Sequence, residues 1–108
     1  MDDRAAGAVF HALSDPTRRQ VVQALAQRGS LTASAIAAEL PVSRQAVTKH
    51  LSALRDAGLA TATPSGREVR YDLTPAPMAE AVAWITQTGA AWDDRLARLQ
   101  RSFEQRAS

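Results

Sequence analysis

Cysteine is absent from this 108-residue sequence, which excludes disulfides, thiolate metal sites, thiol redox sensing and cysteine nucleophiles together. Histidine is nearly absent: His11 and His50 are the only two. No stretch approaches the roughly 20 apolar residues that cross a bilayer. The opening residues, Met1 to Gly7, contain no apolar core of a signal peptide. A cytoplasmic protein without a membrane partner is expected. The five glycines fall singly, so no phosphate-cradling loop is present. Ser, Thr, Asp and His each have a capping or surface explanation, no nucleophile–base–acid set stands out, and neither an enzyme nor a cofactor is expected. A large charge of one sign is lacking too. Thirteen basic residues face 11 acidic ones, for a net +2. That argues against a protein that coats DNA nonspecifically, but permits a local basic face.

What is present reads as one domain over 1–108 with a 45% apolar composition. A chain this small buries a modest share of its surface, so pairing with a second copy would help it. Ala5, Ala6, Val9, Phe10 and Leu13 recur at helical spacing. Asp15 then caps a second helix with Pro16 at its first position. Val21, Val22, Leu25 and Ala26 form its stripe, and Gly29 ends it. Thr32 caps a third helix carrying Ile36, Ala37 and Leu40. Ser43 caps a fourth, with Val47, Leu51 and Leu54 on its buried side and Gly58 closing it. Two β-like runs, 59–63 and 68–73, flank the turn residues Pro64, Ser65, Gly66 and Arg67.

The last helix opens at Thr74-Pro75-Ala76-Pro77. Its apolar positions are Met78, Val82, Ile85, Gly89, Trp92, Leu96, Leu99 and Phe103, in steps of 4, 3, 4, 3, 4, 3 and 4. A mean spacing of 3.5 is a coiled-coil-like seam. Unbroken to Gln105 it would be about 44 Å long, more than the domain covers, so a partner helix is wanted. Whether Gly89 kinks it is open at this point. The expected fold is mainly α with a small β-hairpin (α+β), in the order α-α-α-α-β-β-α.

The tight link Leu40-Pro41-Val42-Ser43 between two short helices suggests a helix-turn-helix over about 32–57. A hairpin after it, about 59–73, stands where a winged helix keeps its wing. The exposed side of the fourth helix presents Ser43, Arg44, Gln45, Thr48 and Lys49, and its first acid is Asp56. Such a face suits the major groove of double-stranded DNA: Arg44 and Gln45 can read base edges, while Ser43, Thr48 and Lys49 can hold phosphates. His50 follows on the same helix, for packing or DNA contact. Arg67, at the wing tip, and Arg70 can reach phosphates or the minor groove, although Glu68 and Asp72 offer Arg70 a cross-strand partner. Arg18 and Arg19 sit where their charges oppose a helix dipole. A phosphate clamp and a structural role compete there, with Asp15 or Glu39 as partners for Arg18.

The run from Phe10 to Arg19, Ile36-Ala37 through Leu40, Ser43 to Leu51, Leu54 to Leu59, and the hairpin Gly66-Arg67-Glu68-Val69-Arg70-Tyr71 with Leu73 together resemble the ArsR/SmtB family of winged-helix repressors. The resemblance covers about residues 5–85. The segment from Trp84 through Trp92-Asp93-Asp94-Arg95-Leu96 to Leu99 resembles a metal-independent branch of that family. What the resemblance implies is a homodimer built from the first and last helices, the latter over about 75–105. Two recognition helices would then enter an inverted-repeat operator, to repress until an inducer releases the DNA. Val9, Phe10, Leu13, Val82, Ile85, Trp92, Leu96 and Leu99 are the residues expected at that dimer interface.

Many members of the family sense metals through cysteines or through histidine–carboxylate pairs on the last helix. This sequence has no cysteine and no histidine there, and Glu80, Asp93 and Asp94 have no nitrogen partner at metal spacing. A metal site is not expected. Two other readings stay open: a winged-helix protein-interaction module without DNA binding, and a regulator with a small-molecule effector in a pocket lined by Trp84, Trp92 and Phe103. Core packing is the ordinary role of such aromatics.

Overall fold

Local capping chemistry sets the element boundaries. The computed structural model describes residues 3–107, apart from the side chains of residues 3, 92, 103, 106 and 107. Helix α1 (Asp3–Ala12) is followed by α2 (Pro16–Arg28). The Asp15 carboxylate accepts the Arg18 backbone N–H at 2.9 Å and so caps α2. Strand β1 (Leu31–Thr32) leads into α3 (Ala33–Ala37), capped by the Thr32 hydroxyl, and then α4 (Arg44–Asp56). The Ser43 hydroxyl caps α4 by accepting the Ala46 N–H at 3.1 Å. Gly58, with a φ of 77°, lets the chain leave α4 in a left-handed conformation. Strands β2 (Ala60–Ser65) and β3 (Glu68–Leu73) then form the wing, and α5 (Ala76–Ala107) completes the chain.

The sheet is antiparallel in the order β1-β3-β2, so β3 lies in the middle. Strand β1 was not expected. Its two residues carry no periodic signal, and they become a strand because the corner after Gly29 lays Leu31 beside Tyr71. The wing turn is also tighter than the sequence suggested. Ser65 pairs with Glu68, leaving Gly66-Arg67 as a two-residue loop. Gly66 has a φ of 63° and no non-glycine residue described has a positive φ, as a type II′ turn requires. Pro64 continues β2, where the edge position tolerates its missing N–H.

Val21, Leu25, Ile36, Val47, Leu51, Leu54 and Leu59 are fully buried and join the helix-turn-helix to the base of the wing, with Tyr71 closing the sheet side. Full burial of each such aliphatic side chain stabilises the fold by about 1.5–3 kcal/mol. Helix α3 ends at Ala37, so Leu40 packs from the connection rather than from the helix. Ala26, expected on the α2 stripe, is exposed. Val9, expected at a dimer interface, is 1% exposed and belongs to the protomer's own core.

Helix α5 runs unbroken through Gly89 for 32 residues, about 48 Å at 1.5 Å per residue. Ala81 anchors it, at 5% exposure, while Trp84 meets Phe10 of α1 and Met78 packs on the core. Beyond those contacts it projects: the longest dimension is 73 Å and the radius of gyration 19.6 Å, against about 13 Å for a compact chain of this length. No helix among the described residues is long and apolar enough to cross a membrane.

Candidate nucleic-acid interface

Burial of Val47, Leu51 and Leu54 fixes which side of α4 faces out. Arg44, Gln45, Thr48 and Lys49 are all exposed, as is the capping residue Ser43. The Thr48 hydroxyl donates to the Arg44 carbonyl at 3.0 Å, a bond it must give up to donate to a phosphate. The structure gathers two of these expected residues with the wing tip: Arg44 and Thr48 line one open cleft of about 210 Å³ between α3, α4 and β3, together with Arg67, Glu68 and Ser34. No ion pair joins Arg44 or Arg67 to a carboxylate among the described residues. Ser34 was missed by sequence reasoning, because a lone serine early in a short helix carries no signal of its own.

His50 and Arg70 stand differently. The His50 ring is half-buried, and its Nδ1 accepts from Arg18 Nε at 3.4 Å. Arg70 donates to the Ser30 carbonyl at 3.2 Å, tying the wing to the corner between α2 and β1. Its partner is therefore a backbone oxygen, not Glu68 or Asp72.

Arg18 and Arg19 share a local task at the end of α1. Arg19 donates to the Leu13 carbonyl at 2.7 Å and Arg18 to the Ala12 carbonyl at 3.4 Å. Their charges oppose the dipole of α2 but satisfy carbonyls at the end of α1. Glu39, considered as a partner for Arg18, is paired with Arg28 instead. Asp15 binds the Arg18 backbone, and that hydrogen bond is the main cause holding its carboxyl below the usual range.

The last helix offers two adjacent faces. Ala81 and Trp84 turn towards the protomer. Val82, Ile85, Leu96 and Leu99 are 62%, 52%, 49% and 51% exposed. Phe10 lies at the edge of this surface, 37% exposed, and Leu13 packs half-buried against the core. The Trp92 and Phe103 side chains, expected in the seam or in an effector pocket, lie outside the described residues. Trp84 is engaged with Phe10.

Comparison with known proteins agrees with this geometry. A family model described as a helix-turn-helix domain matches residues 13–62. The HTH-type transcriptional regulator CmtR of Mycobacterium tuberculosis is 39% identical over 93 residues, covering 86% of this chain and 78% of the relative. The solved structure of an ArsR-like transcriptional regulator from Rhodococcus is 41% identical. It superimposes with a TM-score of 0.82 over 91% of this chain and 92% of that one. The chain belongs to the ArsR family of winged helix-turn-helix transcriptional regulators. It is a DNA-binding regulator rather than an enzyme. Within the family, it is also similar to the probable mercury resistance operon repressor of Streptomyces lividans, at 32% identity over 100 residues, 90% of this chain and 79% of that relative.

Proposed function

We propose that this ArsR-family chain is a homodimeric repressor that reads an inverted-repeat operator without the help of a metal ion. The observation that carries the reading is the exposed side of the first two turns of α4 bearing Arg44, Gln45, Thr48 and Lys49, with no acid among them, set beside Arg67 of the wing. In this reading α4 enters the major groove. Ser43, Arg44, Gln45, Thr48, Lys49 and Arg67 make the principal DNA contacts. His50 and Arg70, each already bonded within the protomer, have the smaller part.

Dimerisation is supported by the apolar side chains that α5 leaves in water. Four large aliphatic residues in one seam, each about half exposed or more, lose water contact when a second copy covers them. A two-fold dimer sets two recognition helices about one DNA turn apart, which matches an inverted repeat. Repression is supported by the name of the Streptomyces relative. Metal independence rests on the sequence: no cysteine, and no histidine after His50.

The test is selection of bound duplexes from a random DNA pool at moderate salt, with Gln45→Ala beside the wild type and chelator in one arm. An inverted repeat enriched by the wild type, blurred by Gln45→Ala and unchanged by chelator is expected. Equal retention of all duplexes by the wild type would refute sequence reading, and loss of enrichment with chelator would refute metal independence.

A further inference from the structure

The cleft between α4 and the wing is lined by two arginines, neither of them in an ion pair among the described residues. Arg44 comes from the first turn of α4 and Arg67 from the wing turn, and both line the same roughly 210 Å³ space. Two cations facing one small cleft repel each other unless an anion lies between them. One carboxylate, that of Glu68, belongs to a residue lining the same cleft, but it makes no ion pair with either arginine among the described residues. Ser34 lines the cleft from α3, and no hydrogen bond of its hydroxyl occurs among the described residues.

The geometry points to a seat for one oxyanion here, clasped by Arg44 and Arg67 together, with Ser34 as an added donor. Its occupant in function is a single backbone phosphate of the bound DNA. The proposal rests on the DNA-binding reading above and deepens it. A phosphodiester presents two non-bridging oxygens, and planar guanidinium forks suit them. The arrangement gives Arg44 a positioning task, leaving Gln45 as the base reader at the start of α4. It also makes the recognition helix and the wing grip DNA at one shared point, so neither residue holds its phosphate independently of the other. Glu68 opposes that phosphate, which restrains affinity for duplex DNA of any sequence.

The experiment is the salt dependence of binding to one duplex by wild type, Arg44→Ala, Arg67→Ala and the double variant. One shared phosphate predicts that the double variant loses about 0.9 in the slope of log K against log salt, with non-additive losses of affinity. Two separate phosphates predict about 1.8 and additive losses, which would overturn the proposal. Neutral methylphosphonate placed at single positions should reveal one position to which both arginine variants have become insensitive; two different positions would overturn it. Glu68→Gln should tighten binding to any duplex by about threefold, and unchanged or weaker binding would count against the seat. Inorganic phosphate should compete no better than its ionic strength explains. Stronger competition would assign the seat to free phosphate instead of the DNA backbone. All the replaced residues are exposed, so thermal melts should match the wild type. A wild type with no salt-dependent DNA binding at all would refute the DNA reading itself rather than the sharing of one phosphate.

Discussion

The rings of Phe10 and Trp84 meet edge to face, with centroids 5.8 Å apart and planes at 61°. This contact joins the first helix to the last and, with Ala81, fixes the direction in which α5 leaves the core. Edge-to-face pairs contribute about 0.5–1.5 kcal/mol beyond the area they bury. A double-mutant cycle with Phe10→Leu and Trp84→Leu, read by urea unfolding, should give a coupling energy of about 1 kcal/mol. Simple additivity would mean that α5 is positioned by Ala81 and Met78 alone.

Leu96 tests the seam without disturbing the protomer. It is 49% exposed and lies well beyond the Phe10–Trp84 contact, so Leu96→Asp should fold. A carboxylate in an apolar seam should nevertheless abolish the dimer and with it most of the operator affinity, since two half-sites would no longer be bound together. Sedimentation at micromolar protein is the measurement. A Leu96→Asp variant that sediments as a dimer would remove the basis for pairing through this face.

Gln45 and Lys49 are both exposed on α4, but they should fail in different ways. Gln45→Ala should cost about 1–3 kcal/mol on the preferred operator and little on random duplex. Lys49→Ala should weaken both alike and lower the salt slope by about one unit. Binding titrations on the two duplexes at three salt concentrations separate these outcomes. Equal effects of the two variants on the two duplexes would show that this part of α4 does not read sequence.

Where the sequence announced its structure, the signal was local. Asp15 before Pro16 and Ser43 before Arg44 cap helices through hydroxyl or carboxylate groups three residues from their targets, so pattern alone reveals them. The Val47, Leu51 and Leu54 stripe likewise orients α4, and with it the expected DNA face. What stayed hidden depends on contacts between distant segments. Strand β1 exists because Leu31 finds Tyr71 forty residues later. Ala81 anchors α5 although the larger residues beside it dominate the helical pattern. Arg18 reaches His50 on another helix, while short-range reading offers it only acids. Ser34 joins the candidate site for the same reason: α3, α4 and the wing converge on it in space, not in sequence.

Ser43 caps α4 and, in the proposed reading, also faces DNA, and the two roles can be separated. Its hydroxyl caps α4 through Ala46, so Ser43→Ala should cost about 1 kcal/mol of stability. Asp caps as well as Ser and complements the helix dipole. Ser43→Asp should therefore melt close to the wild type while binding duplex DNA much more weakly, because its charge meets phosphate. Calorimetry paired with a DNA titration decides. If Ser43→Asp binds as the wild type does, the start of α4 lies away from the DNA backbone.

Asp15 gives the fold a predictable response to acid. Its carboxyl is held below the ordinary value of 3.8, first by the Arg18 backbone N–H, with help from the Thr17 backbone N–H and the Arg18 charge. The unfolded chain therefore takes up this proton at a higher pH than the folded one. The stability that ionised Asp15 contributes is complete above the ordinary carboxylate range and drains away as pH falls through the lowered folded value. Asn in its place keeps a side-chain oxygen for the cap but cannot titrate. Urea midpoints measured between about pH 3 and pH 7 should fall less steeply on acidification for Asp15→Asn than for the wild type. Parallel curves for the two proteins would show that the Asp15 charge makes no difference to folding, leaving the cap as a purely geometric device.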